Sequence, residues 1–205
     1  MIHAFFYGIM LAFGLIIPLG VQNIFVFNQG AAQKKFAHAL PSAITAFLCD
    51  FILIVCATLG VSLIVLTIPA LKTTLLTFGI LFLLYMGTLT WKNRHQSREA
   101  HPPLSVKAQI IFSASVSLLN PHALLDTIGV IGTYSLQFSI KEKYAFSFGC
   151  ILISLFWFIL LSFAGRCVKQ LDNSGAILIK LNQASAIVMW FIAATFIWSL
   201  CHQTS

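Results

Sequence analysis

The stretch "SVSLLNPHALLDTIGVIG", residues 115–132, decides the fold. It lies in an apolar run long enough to cross a bilayer, yet it carries Asn120, Pro121, His122 and Asp126. Pro121 has no N–H to give a continuous helix, and a central Asp costs about 2.5–3.5 kcal/mol in a lipid-embedded helix. A sequence that keeps both together is using them.

Around that stretch the chain spends little on charge. Of its 205 residues 59% are hydrophobic and only 8% are charged. Soluble domains carry about 25% charged residues. A surface this poor in polar groups must face lipid, so the chain is expected to be an all-α integral membrane protein. The net charge of +7 does not point to nucleic acid. The basic residues fall in the short gaps between apolar runs, where membrane topology places them, and no nucleic-acid motif accompanies them. The five cysteines form no C-x-x-C pair and mostly lie in apolar runs, so they read as packing residues. The start "MIHAFFYGIM" has no basic head and no small-residue cleavage site following it, and reads as a retained span.

A span needs about 20 apolar residues. Six runs satisfy this, at roughly 3–27, 40–66, 70–91, 109–137, 144–165 and 182–201. The gaps between them are too short for a second domain, so residues 1–205 are expected to form a single transmembrane domain, a bundle of six helices. Lys34, Lys35, Lys92, Arg94, Arg98, Lys107, Arg166, Lys169 and Lys180 follow spans one, three and five, against Lys72, Lys141 and Lys143 after spans two and four. The excess puts the first set in the cytoplasm and both termini outside.

Three spans and three more give two halves of opposite orientation, an inverted repeat. Each half opens on an interrupted helix. The first reads "IIPLGVQNIFVFNQG" (16–30), with Pro18 and Gly20 as its break, and the fourth breaks at Pro121. Paired broken helices are the sequence pointer to a transporter site near the midplane. Polar groups collect there: Gln22 and Asn23 after the first break, and Ser113, Ser117 and Asn120 on one face of span four. Asp50 and Asp126 are the acids inside spans. Together these residues suit a small zwitterion with an extra positive charge. Its carboxylate would meet a helix N-terminus, and its ammonium or guanidinium would meet the aspartates. His122, four residues before Asp126, is a proton-relay partner, one member of a metal pair, or a cap on the broken helix.

No H-E-x-x-H, G-x-S-x-G or glycine-rich phosphate loop is present, and the flanks of the two aspartates carry no protease signature. The chain is therefore expected not to be an enzyme, and to need no cofactor or resident metal.

"IIPLGVQNIFVFNQG", "AFLCDFILIVCATLG" (46–60), "SLLNPHALLDTIGVIG" (117–132) and "IVMWFIAATFIW" (187–198) resemble the signatures of the LysE-type basic amino acid exporters, most nearly the arginine-exporter branch. The likeness runs from about residue 5 to 198. It implies a multi-pass protein of the bacterial inner membrane that exports arginine or lysine, driven by the proton or potential gradient. It places Gln22, Asn23, Asp50, Asn120, Pro121 and Asp126 at the family's functional positions. Burial raises a carboxylate's affinity for protons, so Asp50 and Asp126, with His122 as a relay, are the expected proton-coupling groups. Val21 stands where the family commonly has a second Pro, which implies a milder first break.

Two rivals remain. One is a divalent-metal exporter of the same superfamily, in which Asp50, His122 and Asp126 would meet the ion. It lacks a His-rich or acid-rich loop and a third intramembrane acid. The other is an assembly subunit, or a homo-oligomer, packed through small residues such as Gly8, Ala12, Gly79 and Gly87. That reading leaves the buried acids without purpose.

Overall fold

A computed structural model describes residues 1–17, 20–61, 69–92, 104–118, 121–171 and 176–203. Within these residues every regular element is a helix: α1 (Ile2–Ile16), α2 (Val21–Ala32), α3 (Phe36–Cys56), α4 (Pro69–Lys92), α5 (Val106–Leu118), α6 (Pro121–Leu124), α7 (Gly132–Ser135), α8 (Ile140–Leu171) and α9 (Ala176–Gln203). A π-helical segment, Leu125–Ile131, joins α6 to α7, and another, Ala57–Val61, extends α3.

The helices fall on the apolar runs of the sequence but overrun their edges. The stretch "NQGAAQKKFAH" (28–38), expected to be a loop, is mostly helix. α2 continues to Ala32 and α3 begins at Phe36, leaving only residues 33–35 outside helix. Likewise α8 runs from Ile140 to Leu171, well past the expected 144–165. Capping explains its early start. Ser139 Oγ donates to Glu142 Oε2 at 2.7 Å, and the backbone N–H of Ser139 reaches the same oxygen at 3.3 Å. This is one half of a capping box, in which the Glu142 carboxylate satisfies the Ser139 amide at the helix start.

Two helical stretches, Phe36–Gly60 and Ile140–Leu171, are each long and apolar enough to cross a membrane. The α1–α2 pair meets the same test jointly across a bend of 81°. The bend is sharp, where the resemblance implied a milder break at Val21.

Burial is the inverse of a soluble protein's. Phe148, Phe156 and Phe163 on α8 and Ile2, Phe6 and Met10 on α1 are exposed. Gln22, Asn23, Gln109, Ser113, Ser117, Ser154 and Ser162 are buried. Water would not tolerate such an apolar exterior, whereas lipid favours it.

The long α8 is the spine. α1, α2 and α3 all pack on it, while α4 packs on α9 and α5 on α3. Close approach comes from glycine. A Cβ on Gly8 would overlap the backbone of Phe146, and one on Gly149 would overlap that of Phe5. Gly87 likewise abuts the indole of Trp190. Gly8 and Gly87, which the sequence left open to a partner chain, are thus occupied inside this one. Ala12 is also buried within the chain, and the surroundings of Gly79 lie outside the described residues.

Candidate functional site

The site begins where α1 ends. A helix terminus leaves backbone carbonyls without intrahelical partners. Asn23, in the first turn of α2, donates from Nδ2 to the carbonyl of Ile16 at 2.7 Å, so its side chain bridges the bend. Gly20 caps α2 with an extended backbone and no side chain. The first N–H groups of α2 therefore stand beside open space.

That space is a cavity of about 90 Å³, with room for a few water molecules or the head of a small cation. α1 contributes Ala12 and Ile16 to its wall, followed by Gly20, and α2 adds Gln22 and Asn23. Asp50 and Ile54 come from α3, and Cys150 and Ser154 from α8. The far wall is the second interrupted helix, with Ala123 on α6 and Thr127 and Ile131 on the π-helical segment. Extra-residue turns of this kind occur mostly at functional sites.

Asp50 faces the cavity with both oxygens engaged. Gln22 Nε2 donates to Oδ1 at 3.1 Å, and Ser154 Oγ donates to Oδ2 at 3.0 Å. No salt bridge to Asp50 is present among the described residues. A carboxylate held by neutral donors beside a cavity can receive a cation or a proton, because no fixed positive charge already neutralises it.

The structure thus brings together Gln22, Asn23, Gly20 and Asp50 from the sequence candidates. Pro18 and Asn120 lie outside the described residues, as do the side chains of Pro121, His122 and Asp126. The backbone places Asp126 next to cavity-lining Thr127. Ser113 and Ser117 are buried, but they serve packing: Ser113 Oγ donates to the carbonyl of Ser42 at 2.9 Å, and Ser117 Oγ to that of Ser113 at 2.8 Å.

Sequence reasoning missed Ser154 and Thr127. A signal for Ser154 existed. Ser147, Cys150, Ser154, Phe158, Leu161, Ser162 and Gly165 are the buried face of α8, and small polar residues recur along it at helical spacing. Nothing comparable singles out Thr127, which follows an acid already accounted for. Among the described residues, no group of three His, Cys, Asp or Glu is placed to hold a metal ion.

Comparison with known proteins follows the same residues. The LysE type translocator family matches residues 13–200. YisU of Bacillus subtilis (strain 168), which carries the provisional name of amino-acid transporter, is 52% identical over 195 residues, 95% of this chain and 89% of its own. The arginine exporter protein ArgO of Escherichia coli (strain K12) is 32% identical over 198 residues, 94% and 92% of the two chains. ArgO of Yersinia enterocolitica is 32% identical over 94% of this chain and 95% of its own. No solved structure matches.

Proposed function

Because the chain belongs to the LysE type translocators, and is a membrane transporter and not an enzyme, we propose that it exports a basic amino acid, arginine or lysine, from a bacterial cytoplasm. The observation that carries this reading is Asp50, set between the two interrupted helices with, among the described residues, the neutral donors Gln22 and Ser154 on its oxygens. A cationic side chain supplies the missing positive charge. Its α-carboxylate meets the N-terminus of α2, where the helix dipole favours negative charge. The arginine-exporter names of two relatives point to the same class of cargo.

Expelling a cation from a negative cytoplasm works against the membrane potential, at about 2.3 kcal/mol per charge per 100 mV. Coupling to protons offsets that cost. Asp50 binds substrate from inside, releases it outside and returns protonated, with Asp126 and His122 as further proton carriers from the second interrupted helix. The six apolar runs then act as two inverted three-helix halves, in the inner membrane, with both termini outside. Lys34, Lys35, Lys107 and Arg166 flank the cytoplasmic end.

The test is counterflow of labelled arginine and lysine in proteoliposomes, wild type beside Asp50→Asn. Asn keeps the size and one acceptor oxygen but carries no charge, and its Nδ2 can only donate, so Ser154 Oγ turns to accept from it. Counterflow that disappears in this variant, in protein that still elutes as a folded species, supports the proposal. Undiminished counterflow in both Asp50→Asn and Asp126→Asn would sink it. Transport of Mn²⁺ with no amino acid counterflow would shift the assignment to a divalent-metal exporter.

A further inference from the structure

Ser154, like Ser113 with its bond to Ser42 O, departs from the habit of most hydroxyls in these helices. Ser147 donates to Lys143 O, Ser117 to Ser113 O, Ser185 to Leu181 O, and Thr45 to Pro41 O, each four residues back. That local bond is the ordinary one for Ser or Thr within a helix. Ser154 is just as buried, yet its Oγ turns across to α3 and donates to Asp50 Oδ2 at 3.0 Å.

The two donors on Asp50 are not equivalent. A hydroxyl both donates and accepts, and its hydrogen swings about the Cβ–Oγ bond without moving a heavy atom. The Gln22 amide presents Nε2 to Oδ1 at 3.1 Å and can accept only if the whole amide turns over. Oδ1 is therefore held as the bare oxygen, and Oδ2 is the oxygen that can carry a proton at no loss of partner.

We infer that Ser154 is a positioning residue through which Asp50 takes up and gives up its proton at Oδ2. In the ionised state Ser154 donates to Oδ2. When a proton from water in the cavity forms the O–H bond at Oδ2, Ser154 Oγ accepts from it. The serine hydrogen then turns to the carbonyl of Cys150, one turn back, as most helix hydroxyls already do. Release reverses each step and returns the proton to water. The oxygens stay 3 Å apart throughout, so the carboxyl keeps its orientation toward the substrate.

The groups facing Asp50 are few. On α8 the cavity wall holds the Cys150 thiol, and Cys49 precedes Asp50 on α3. α1 and α2 present Ala12, Ile16, Gln22 and Asn23, none of which titrates. From the second interrupted helix Thr127 lines the wall, with Asp126 beside it in the chain.

The inference rests on the proton-coupled export reading, and one experiment separates the two. Labelled arginine is supplied outside proteoliposomes, and two rates are measured across external pH: counterflow against unlabelled arginine loaded inside, which needs no net proton transfer, and accumulation in empty vesicles driven by a pH gradient. In Ser154→Ala both rates fall, but driven accumulation falls about tenfold further than counterflow, and its pH midpoint moves upward. Ser154→Thr, which keeps the hydroxyl, restores the wild-type profile. Ser154→Cys, a weak donor and acceptor of the same shape, moves the midpoint less and serves if the alanine variant does not fold. A wild-type pH profile in Ser154→Ala overturns the inference and leaves the exporter reading intact. Equal loss of both rates also overturns it, since that marks a merely structural serine. Wild-type protein without arginine or lysine counterflow overturns the exporter reading itself.

Discussion

Gly30 and Gly165 lock α2 and α8 together by reciprocal backbone contact. A Cβ on Gly30 would overlap the backbone of Ser162, and a Cβ on Gly165 would overlap that of Phe27, three residues along on each helix. Backbone cannot move aside as a side chain can, so Gly30→Ala and Gly165→Ala each force the helices apart. The expected cost is about 1–3 kcal/mol. α2 carries Gln22 and α8 carries Ser154, so the same displacement pulls the donors off Asp50 and lowers transport. Gly14→Ala is the control, because nothing lies within 4 Å of the added methyl. There alanine gains about 0.5–1 kcal/mol of helix propensity. Melting of the purified variants in detergent distinguishes them, and a Gly30→Ala protein as stable as Gly14→Ala would contradict the tight contact.

Gly60 is required for a different reason. It has open space around it but adopts φ +100°, in the π-helical segment that extends α3. A side chain there meets its own backbone, at a cost of about 1–2 kcal/mol. Gly60→Ala should therefore destabilise despite the empty surroundings, while Gly60→Asn, which tolerates positive φ better, should lose less. Equal melting temperatures for the two variants would argue that the backbone relaxes.

Asn23 makes the bend between α1 and α2 durable. Its Nδ2 covers the Ile16 carbonyl at 2.7 Å, one of the carbonyls that the end of α1 leaves without an intrahelical partner. Asn23→Leu keeps the bulk and removes the donor, leaving that carbonyl short of a partner at a cost of about 1–3 kcal/mol. The bend then loses its tie, and hydrogen exchange at the start of α2 should rise. Asn23→Asp should not rescue it, because an ionised carboxylate cannot donate.

Much of this arrangement was legible in the chain itself. The apolar runs marked where the helices lie, since lipid demands about 20 apolar residues for each crossing. Polar residues inside them marked Gln22, Asn23 and Asp50, because hydrocarbon makes each such residue costly enough to need a reason. Partners were less visible. Gln22 and Asp50 are 28 residues apart, and Ser154 is 104 from Asp50. Only the packing of α2, α3 and α8 brings them together, and Ser154 stands among other buried serines that do nothing but pack. Helix ends were misplaced for a related reason. Hydropathy measures contact with lipid, whereas α2 continues through Gln29 and Gly30 because buried contacts with α8 and the amides of its neighbours sustain it.

Those amides lead to the last prediction. Gln109, at the head of α5 and 1% exposed, donates from Nε2 to the carbonyls of His38 at 3.0 Å and Leu104 at 3.1 Å. Gln33, just past α2, donates to the same Leu104 carbonyl at 2.9 Å. At one end of the bundle two glutamines thus tie α2, α3 and α5 through two backbone oxygens, those of His38 and Leu104. Gln109→Leu removes two donors and should cost about 1–3 kcal/mol, with Gln33→Leu costing less because Leu104 keeps its other partner. Since α3 also carries Asp50, loosening this end should expose the neighbouring Cys49, which is buried in the intact protein. Maleimide labelling of a variant that keeps Cys49 as its sole cysteine reads this directly. Faster labelling in Gln109→Leu than in Gln33→Leu, with wild type slowest, is the expected order. Identical rates in all three would mean that the glutamines fix the connection between helices without closing that end of the bundle.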